Sequence, residues 1–214
     1  NYPDLATEIV SFFCGSDISK KKLQQIIEKS YYEFLIENVV SVKTFDNINV
    51  LELYHGPTLA FKDIAMQVIG NLYVEFKKDQ KDFVNIIVAT SGDTGAAAVS
   101  ALKQKKNINL FVLHPHNKIS KMQRKIMTSE NFYYSNEISK NIFNIAVKGN
   151  FDDCQNLVKQ MFNDENFRKK INMSGVNSIN WARIVFQIIY YFYSYFKLST
   201  KEKINFSVPT GNFG

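Results

Sequence analysis

The sequence has few of the residues that build disulfide frameworks or structural metal sites. Of its 214 residues only Cys14 and Cys154 are cysteines, and they lie far apart without CxxC or CxxH spacing. This usage indicates neither a disulfide framework nor a structural zinc site, and it favours a reducing cytoplasm. His114 and His116 flank Pro115, but no third candidate ligand lies near them in the sequence. We therefore expect no metal.

Arginine is also scarce, although the chain is basic. The formal net charge is +6, yet the only arginines are Arg124, Arg168 and Arg183, so nearly all of the basicity comes from lysine. Lysines mixed with acidic residues more often form a solvated surface than a binding stripe, and arginine is the residue that reads bases bidentately. We expect no nucleic-acid partner.

A long uninterrupted hydrophobic run is missing. The longest apolar stretch, 184–196, contains Gln187 and Ser194, and it is shorter than the ~20 residues that a membrane span needs. No charged segment followed by an apolar one opens the chain, so we expect neither a membrane partner nor a secretory signal. The first residue is Asn1 rather than Met, and we expect further residues before it.

Hydrophobic residues make up 45% of the chain and aromatic residues 14%, which is enough for globular domains with real cores. Apolar spacing predicts an amphipathic helix over 19–38 and then a strand over 50–54. Strand and helix patterns alternate beyond it, which is typical of a parallel α/β sheet. The predicted pairs are 85–89 with 95–105, 109–113 with 120–127, and 142–147 with 151–161, followed by a helix over 181–196 and a strand over 206–208.

The pattern of the last residues, VPTGNFG at 208–214, predicts a strand that ends in a glycine-rich turn. Such a turn normally opens a helix whose amide groups receive a phosphate. The chain stops at the turn, so we expect it to be a fragment of a longer protein.

A second loop of small residues, ATSGDTG at 89–95, lies between an apolar strand and an alanine-rich helix. Backbone N–H groups and hydroxyls at a helix N-terminus can cradle a phosphate or a carboxylate. A tight turn with Asp93 or Thr94 as the N-cap fits the same letters, and this motif alone does not separate the two interpretations. The motif is neither GxxxxGK[ST] nor GxGxxG, which disfavours nucleotide binding.

Lys62 has a distinctive setting. A strand ends at Tyr54, Gly56-Pro57 turns the chain, Phe61 precedes the lysine, and a helix follows from Asp63. A lysine desolvated by apolar neighbours becomes a usable nucleophile and proton carrier, which is what Schiff-base chemistry requires. A single lysine at a helix start is more often a surface side chain, so its neighbouring motifs decide its interpretation.

Three glycine or small-residue turns at strand ends can converge on one phosphorylated ligand. These turns and the sequence motifs HGPTLAFKD and SGDTG make the chain resemble threonine synthase from about Leu51 onward. The earlier residues resemble the helical N-terminal region of that family. The segments that carry the resemblance, in order and at similar spacing, are 55–63, 89–97, 118–120, 151–155, 177–181 and 208–214.

The resemblance implies an α/β fold of the tryptophan-synthase-beta-like type of pyridoxal-phosphate enzyme. Parallel-rich sheets with flanking helices are expected, truncated before the large domain is complete. We expect a helical N-terminal region at 1–50, an α/β domain with Lys62 and the SGDTG loop at 51–176, and the start of the larger domain at 177–214.

The resemblance also implies roles for individual residues. Lys62 would form the Schiff base with pyridoxal 5'-phosphate and then move protons at Cα and Cβ. Asp93 is a carboxylate where related enzymes place an asparagine facing the cofactor's ring oxygen, so Asn180 is an alternative for that contact. The cofactor phosphate is assigned to Gly211, Asn212, Phe213 and Gly214, the substrate carboxylate to Ser91, Gly92 and Thr94, and the substrate phosphate or the ring oxygen to Lys118, Asn180 or Arg183.

The implied reaction converts O-phospho-L-homoserine and water to L-threonine and phosphate. Two other functions stay open: another lyase of the same fold, such as a serine or threonine dehydratase, or a non-catalytic phosphate- or nucleotide-binding α/β module. We expect the partner of the cofactor's pyridine nitrogen beyond Gly214, and the 214 residues alone to be inactive. The resemblance does not decide between a monomer and a homodimer.

Overall fold

The computed structural model describes residues 1–128, 141–177, 180–199 and 202–209. The chain divides into two compact units, one of residues 1–68 and 181–214 and the other of residues 69–180. The domain boundaries expected from the sequence lie at residues 50 and 176. The two units divide the chain at other places, so those domain boundaries remain a prediction. Each unit is described separately below.

Helices and strands follow one another along the chain with the alternation predicted over residues 85–161, and α7 and β6 follow without having been predicted. The elements are α1 (Tyr2–Cys14), α2 (Lys20–Tyr31), β1 (Ser41–Phe45), β2 (Ile48–Glu52), α3 (Lys62–Lys77), β3 (Val84–Ala89), α4 (Asp93–Leu102), β4 (Ile108–Pro115), α5 (Lys121–Thr128), β5 (Ile142–Val147), α6 (Phe151–Asn163), α7 (Glu165–Lys170), β6 (Met173–Gly175) and α8 (Trp181–Leu198). No helix in the described part of the chain is long and apolar enough to cross a membrane.

The unit of residues 69–180 is built on a four-stranded sheet in the order β5-β4-β3-β6. All three strand pairs are parallel, with Ala89 opposite Leu113 and Ile87 opposite Gly175. On one face, Ile87, Ala89 and Leu113 pack with Cys154 and Val158 of α6. The prediction of a parallel α/β sheet is confirmed.

On the other face of this sheet α4 packs against β3 and β4, and Gly95 allows α4 to approach both β4 and α5 closely. A Cβ atom at Gly95 would lie 2.6 Å from Met127 Sδ of α5 and 3.0 Å from Val112 Cγ1 of β4. Burial on both faces explains why β3 and β4 have nearly continuous apolar sequences rather than an alternation of apolar and polar residues.

The strand order places a candidate binding edge in this unit. The chain runs outward from β3 to β4 and β5, then returns to add β6 on the other side of β3. Ligands of open parallel sheets bind beyond the carboxyl ends of the strands where the order reverses in this way. Here that position lies after β3 and β6, where the loop at 90–95 and the segment at 176–180 begin.

In the other unit, α1, α2 and α8 surround an aromatic centre. Tyr2 is fully buried, with its ring centroid 5.7 Å from that of Tyr31 and 5.3 Å from that of Tyr193. The helix predicted over 19–38 ends at Tyr31. Phe34 follows in a turn and packs edge-on against Tyr31 at 5.2 Å, so the i, i+3 apolar spacing that suggested helix comes from a turn.

The hairpin of β1 and β2 lies mostly within residues 1–50, which were expected to be helical, and β2 overlaps the strand predicted over 50–54. These two strands pair antiparallel from Ser41 opposite Glu52 to Phe45 opposite Ile48.

The strand predicted over 206–208 is wrong, because residues 203–209 form no strand with any described residue. Phe206 instead packs edge-on against Tyr191 of α8 at 4.8 Å. Apolar residues in an extended segment can be buried by such packing as well as by pairing into a strand.

Candidate active site

The segment 55–63, here called the lysine loop, leads from β2 into α3 and ends on a buried lysine. Lys62 is the first residue of α3 and is only 7% exposed. Its Nζ lies 4.4 Å from the ring centroid of Phe61, within the range of a cation–π contact. Burying a cation at the positive end of a helix costs free energy, so Lys62 is not an ordinary surface lysine.

Asp63 holds the lysine loop in shape. Its side chain is fully buried and accepts two hydrogen bonds from Thr58, one from the backbone N–H and one from the hydroxyl, both at 2.7 Å. Gly56 lies against the same side chain, because a Cβ atom there would be 2.4 Å from Asp63 Cβ. The sequence marked Asp63 only as the start of a helix, and no local pattern shows that its partner is Thr58.

Glu52, at the end of β2, gathers three polar side chains beside the lysine loop. The Ser41 hydroxyl donates to this carboxylate, Lys43 Nζ lies 3.0 Å from Oε1, and His55 Nε2 lies 3.3 Å from Oε2. The hydrogen bond from Ser41, followed by that from Lys43, lowers the pKa of Glu52 from its ordinary value of about 4.5 to about 2. Glu52 therefore binds two residues of the β1–β2 hairpin and lies against the first residue of the lysine loop.

We expect this carboxylate to contribute to stability at neutral pH and to lose that contribution in acid. Because its pKa is lowered on folding, the stabilisation is complete above pH ~4.5 and disappears as the pH falls towards 2. Glu52→Gln should flatten the fall in the free energy of unfolding over that range, measured by urea denaturation. Glu165→Gln, which removes an exposed pair with Lys169, is the matched control and should keep the wild-type slope. Equal slopes in all three proteins would contradict the assignment.

The loop at 90–95, here called the small-residue loop, is organised by Thr90. The Thr90 hydroxyl oxygen is buried and accepts hydrogen bonds from the N–H groups of Gly92 at 2.9 Å and Gly95 at 2.8 Å. An incoming anion would therefore bind to other donors of this loop, among them the hydroxyls of Ser91 and Thr94.

Gly92 is the N-cap of α4, which corrects the alternative that Asp93 or Thr94 caps this helix. Its φ of 147° is a conformation that side-chain-bearing residues rarely adopt. The cap has no side-chain hydrogen bond, because glycine has no side chain to supply one.

Asp93, the first residue of α4, is joined to α5 by a residue that the sequence interpretation missed. Gln123 Nε2 donates a hydrogen bond to Asp93 Oδ1, while Gln123 Oε1 accepts one from the Ser120 hydroxyl at 2.9 Å. The spacing Ser120-x-x-Gln123 is a capping-box pattern, so the signal for Gln123 was present but pointed to a purely local role.

Lys118 and Asn180 follow the two strands that flank β3. Lys118 lies in the turn after β4, where its N–H donates to Pro115 O at 3.3 Å. Asn180 closes the segment after β6, and its Nδ2 donates to Gly175 O at 2.9 Å. Because β3, β4 and β6 are parallel neighbours, Lys118, Asn180 and the small-residue loop all lie at the carboxyl edge of one sheet.

Arg183 belongs to the other unit, in the first turn of α8. It is 2% exposed, and this burial lowers the pKa of its guanidinium, with Tyr190 acting in the opposite direction. The predicted cofactor-phosphate residues Gly211, Asn212, Phe213 and Gly214 lie outside the described residues. Within the described ranges, no group of three or more His, Cys, Asp or Glu residues could hold a metal ion.

Comparison with known proteins gives one consistent result, although no family model matches. Threonine synthase from Eremothecium gossypii is 40% identical over all of this chain and 44% of its own length. The enzyme from Pseudomonas aeruginosa is 43% identical, also over all of this chain and 44% of its own length. The crystal structure of PLP-bound threonine synthase from Brucella melitensis aligns with a TM-score of 0.82 and 38% identity, covering 95% of this chain and 42% of that one.

These likenesses confirm the fold class that the sequence motifs implied. The chain spans less than half the length of the relatives it matches, so it corresponds to one part of them. The resemblance to threonine synthase is therefore confirmed over the whole length of this chain.

Proposed function

We propose that the protein to which this chain belongs is a pyridoxal-phosphate-dependent threonine synthase. It would convert O-phospho-L-homoserine and water to L-threonine and phosphate. The observation that carries the proposal is Lys62, a buried primary amine at the end of a loop held by Asp63, in a chain that matches threonine synthases over its full length. Because the relatives are more than twice as long, the reaction is proposed for the full polypeptide.

The setting of Lys62 fits a cofactor that carries an aldehyde. Phe61 covers the amine on one side, and the Thr58–Asp63 hydrogen bonds fix the backbone that precedes it. When bound, pyridoxal phosphate withdraws electrons from the substrate's Cα and so eases proton loss there. Lys62 would hold the cofactor through Nζ, and Gly211, Asn212, Phe213 and Gly214 would hold its phosphate through backbone amides.

Lys62 would also move protons. With cofactor and substrate bound, the Lys62 amine would take the proton from Cα and carry protons to and from Cβ. The amine is buried and lies over the Phe61 ring, so few water molecules would compete with the substrate for its protons.

The small-residue loop would bind the substrate carboxylate at the N-terminus of α4. Ser91 and Thr94 supply hydroxyls there, Gly92 brings the backbone close, and the helix dipole favours the negative charge. Of the candidates for the leaving phosphate, we favour Lys118 over Arg183, because Lys118 follows a strand adjacent to β3. A cation beside the leaving phosphate would stabilise the charge that develops on it.

Asp93 and Asn180 remain the two candidates for the cofactor's ring oxygen. The hydrogen bond from Gln123 fixes one carboxylate oxygen of Asp93 towards α5, which leaves the amide of Asn180 as the better donor to an oxygen atom. The free thiols of Cys14 and Cys154 support a reducing, cytoplasmic location.

Product analysis separates this proposal from its two rivals. The full polypeptide with pyridoxal phosphate is incubated with O-phospho-L-homoserine, L-serine or L-threonine, and amino acids, oxo acids and inorganic phosphate are measured. Equal amounts of threonine and phosphate from phosphohomoserine are expected. An oxo acid formed from serine or threonine as the main product would favour a dehydratase. No turnover of any substrate, together with no visible cofactor band, would favour a binding module.

A further inference from the structure

We infer that Gln123 is a positioning residue for the substrate carboxylate, acting through Asp93 and the backbone of Gly92. The inference rests on the proposed function of the small-residue loop as a carboxylate site. It gives a role to a side chain on α5 that neither the sequence motifs nor the family resemblance assigned.

The contacts place the Gln123 amide between two elements. Its Nε2 donates to Asp93 Oδ1, and its Oε1 accepts from the Ser120 hydroxyl, which itself accepts from the Gln123 N–H at 3.1 Å. A Cβ atom on Gly92 would lie 2.2 Å from Gln123 Cδ, so the amide group lies directly against the cap of α4. Gln123 thus touches both residues at the start of the helix that would receive the carboxylate.

The direction of these hydrogen bonds makes an amide specifically suitable at this position. The side chain must donate to a carboxylate at one atom and accept from a hydroxyl at the other. A carboxylate in its place could accept but not donate, and an ammonium or guanidinium could donate but not accept. In an ordinary capping box the side chain would turn back to its own N-cap, whereas here its nitrogen reaches Asp93, which is 30 residues away.

The hydrogen bond from Gln123 to Asp93 would reduce electrostatic repulsion at the proposed carboxylate site. Asp93 is an anion in the first turn of α4, close to where a second anion, the substrate carboxylate, would bind. Two like charges repel strongly at short range when they are partly shielded from water. The hydrogen bond from Gln123 Nε2 fixes the orientation of the Asp93 carboxylate and partly offsets the negative charge on Oδ1. Loss of this contact would raise KM more than it lowers kcat.

The test compares Gln123→Ala, Gln123→Glu and the double variant Asp93→Asn/Gln123→Glu in the full polypeptide. Deuterium exchange of the amides at 91–95 is followed by mass spectrometry without substrate, and KM and kcat are measured with O-phospho-L-homoserine. Gln123→Glu should speed exchange roughly tenfold or more, because a charge-assisted hydrogen bond is replaced by repulsion.

The double variant and a surface variant serve as controls. The double variant should restore slow exchange, because the new amide at position 93 can donate to the new carboxylate at position 123, and the Ser120 hydroxyl can still donate to that carboxylate. Gln160→Glu, an exposed change on α6, should alter neither the exchange nor the kinetic constants.

Each result has a defined meaning. Unchanged exchange at 91–95 in both single variants would overturn the inference whatever the activity. Faster exchange with an unchanged KM in Gln123→Glu would also overturn it, because the loop would then not position substrate. Slow exchange restored by the double variant, with a raised KM in Gln123→Glu, supports it. A wild-type protein that makes no threonine would overturn the proposed function, while the exchange measurements would still decide whether Gln123 holds the loop.

Discussion

Lys62→Ala is expected to abolish the visible absorbance band that a lysine–pyridoxal-phosphate Schiff base gives, and to lower turnover at least ~10³-fold. Alanine removes both the amine that bonds the cofactor and the group that moves protons, so binding and chemistry fail together. The measurement is an absorbance scan of the purified full polypeptide after addition of pyridoxal phosphate, followed by a phosphate-release assay.

Two comparisons make the lysine experiment specific. Lys62→Arg keeps the positive charge over Phe61 but has no amine that can form a Schiff base, so the band should be lost there as well. Lys77 is the matched control, because it lies on the same helix, is 8% exposed, and is bonded to Gln80 and Asp82. Lys77→Ala should keep the band. Absorbance retained in Lys62→Ala, or lost in Lys77→Ala alone, would reject the assignment.

Asp63→Ala is expected to lower the free energy of unfolding by about 3 kcal/mol or more. The substitution removes the acceptor of two charge-assisted hydrogen bonds from Thr58 and leaves a cavity against Gly56. Asp63→Asn should cost less, about 1–2 kcal/mol, because its amide oxygen can still accept from the Thr58 N–H while its NH₂ meets a hydroxyl that can reverse direction. Urea denaturation monitored by circular dichroism gives the values.

Two further variants isolate the contribution of Asp63. Thr58→Val removes only the hydroxyl hydrogen bond, and we expect a cost of about 1 kcal/mol. Asp152→Ala removes an exposed carboxylate from the first turn of α6 and should change stability by no more than ~0.5 kcal/mol. If Asp63→Ala proved no more damaging than Asp152→Ala, the lysine loop would not depend on this carboxylate.

Local sequence patterns predicted most of the elements of residues 69–180 correctly. The strand over 142–147 has the predicted bounds, and β3, β4, α4, α5 and α6 begin or end within a few residues of prediction. These elements are set by apolar periodicity and by turn residues, which are properties of neighbouring positions. The predictions failed where local patterns were ambiguous, as at Phe34, where a turn imitates helical spacing, and at Phe206, where packing replaces strand pairing.

The sequence by itself determined the resemblance to threonine synthase, through ordered motifs, and it marked Lys62 and the small-residue loop as the chemically important positions. Only the tertiary structure decided that Lys62 is buried, that Thr58 binds Asp63, and that Gln123 binds Asp93. It also decided that β6 joins β3, which brings Asn180 to the edge where Lys118 lies. The physical reason is that hydrogen bonds and burial depend on which atoms meet in space, and residues far apart in the chain meet only when the whole unit has folded.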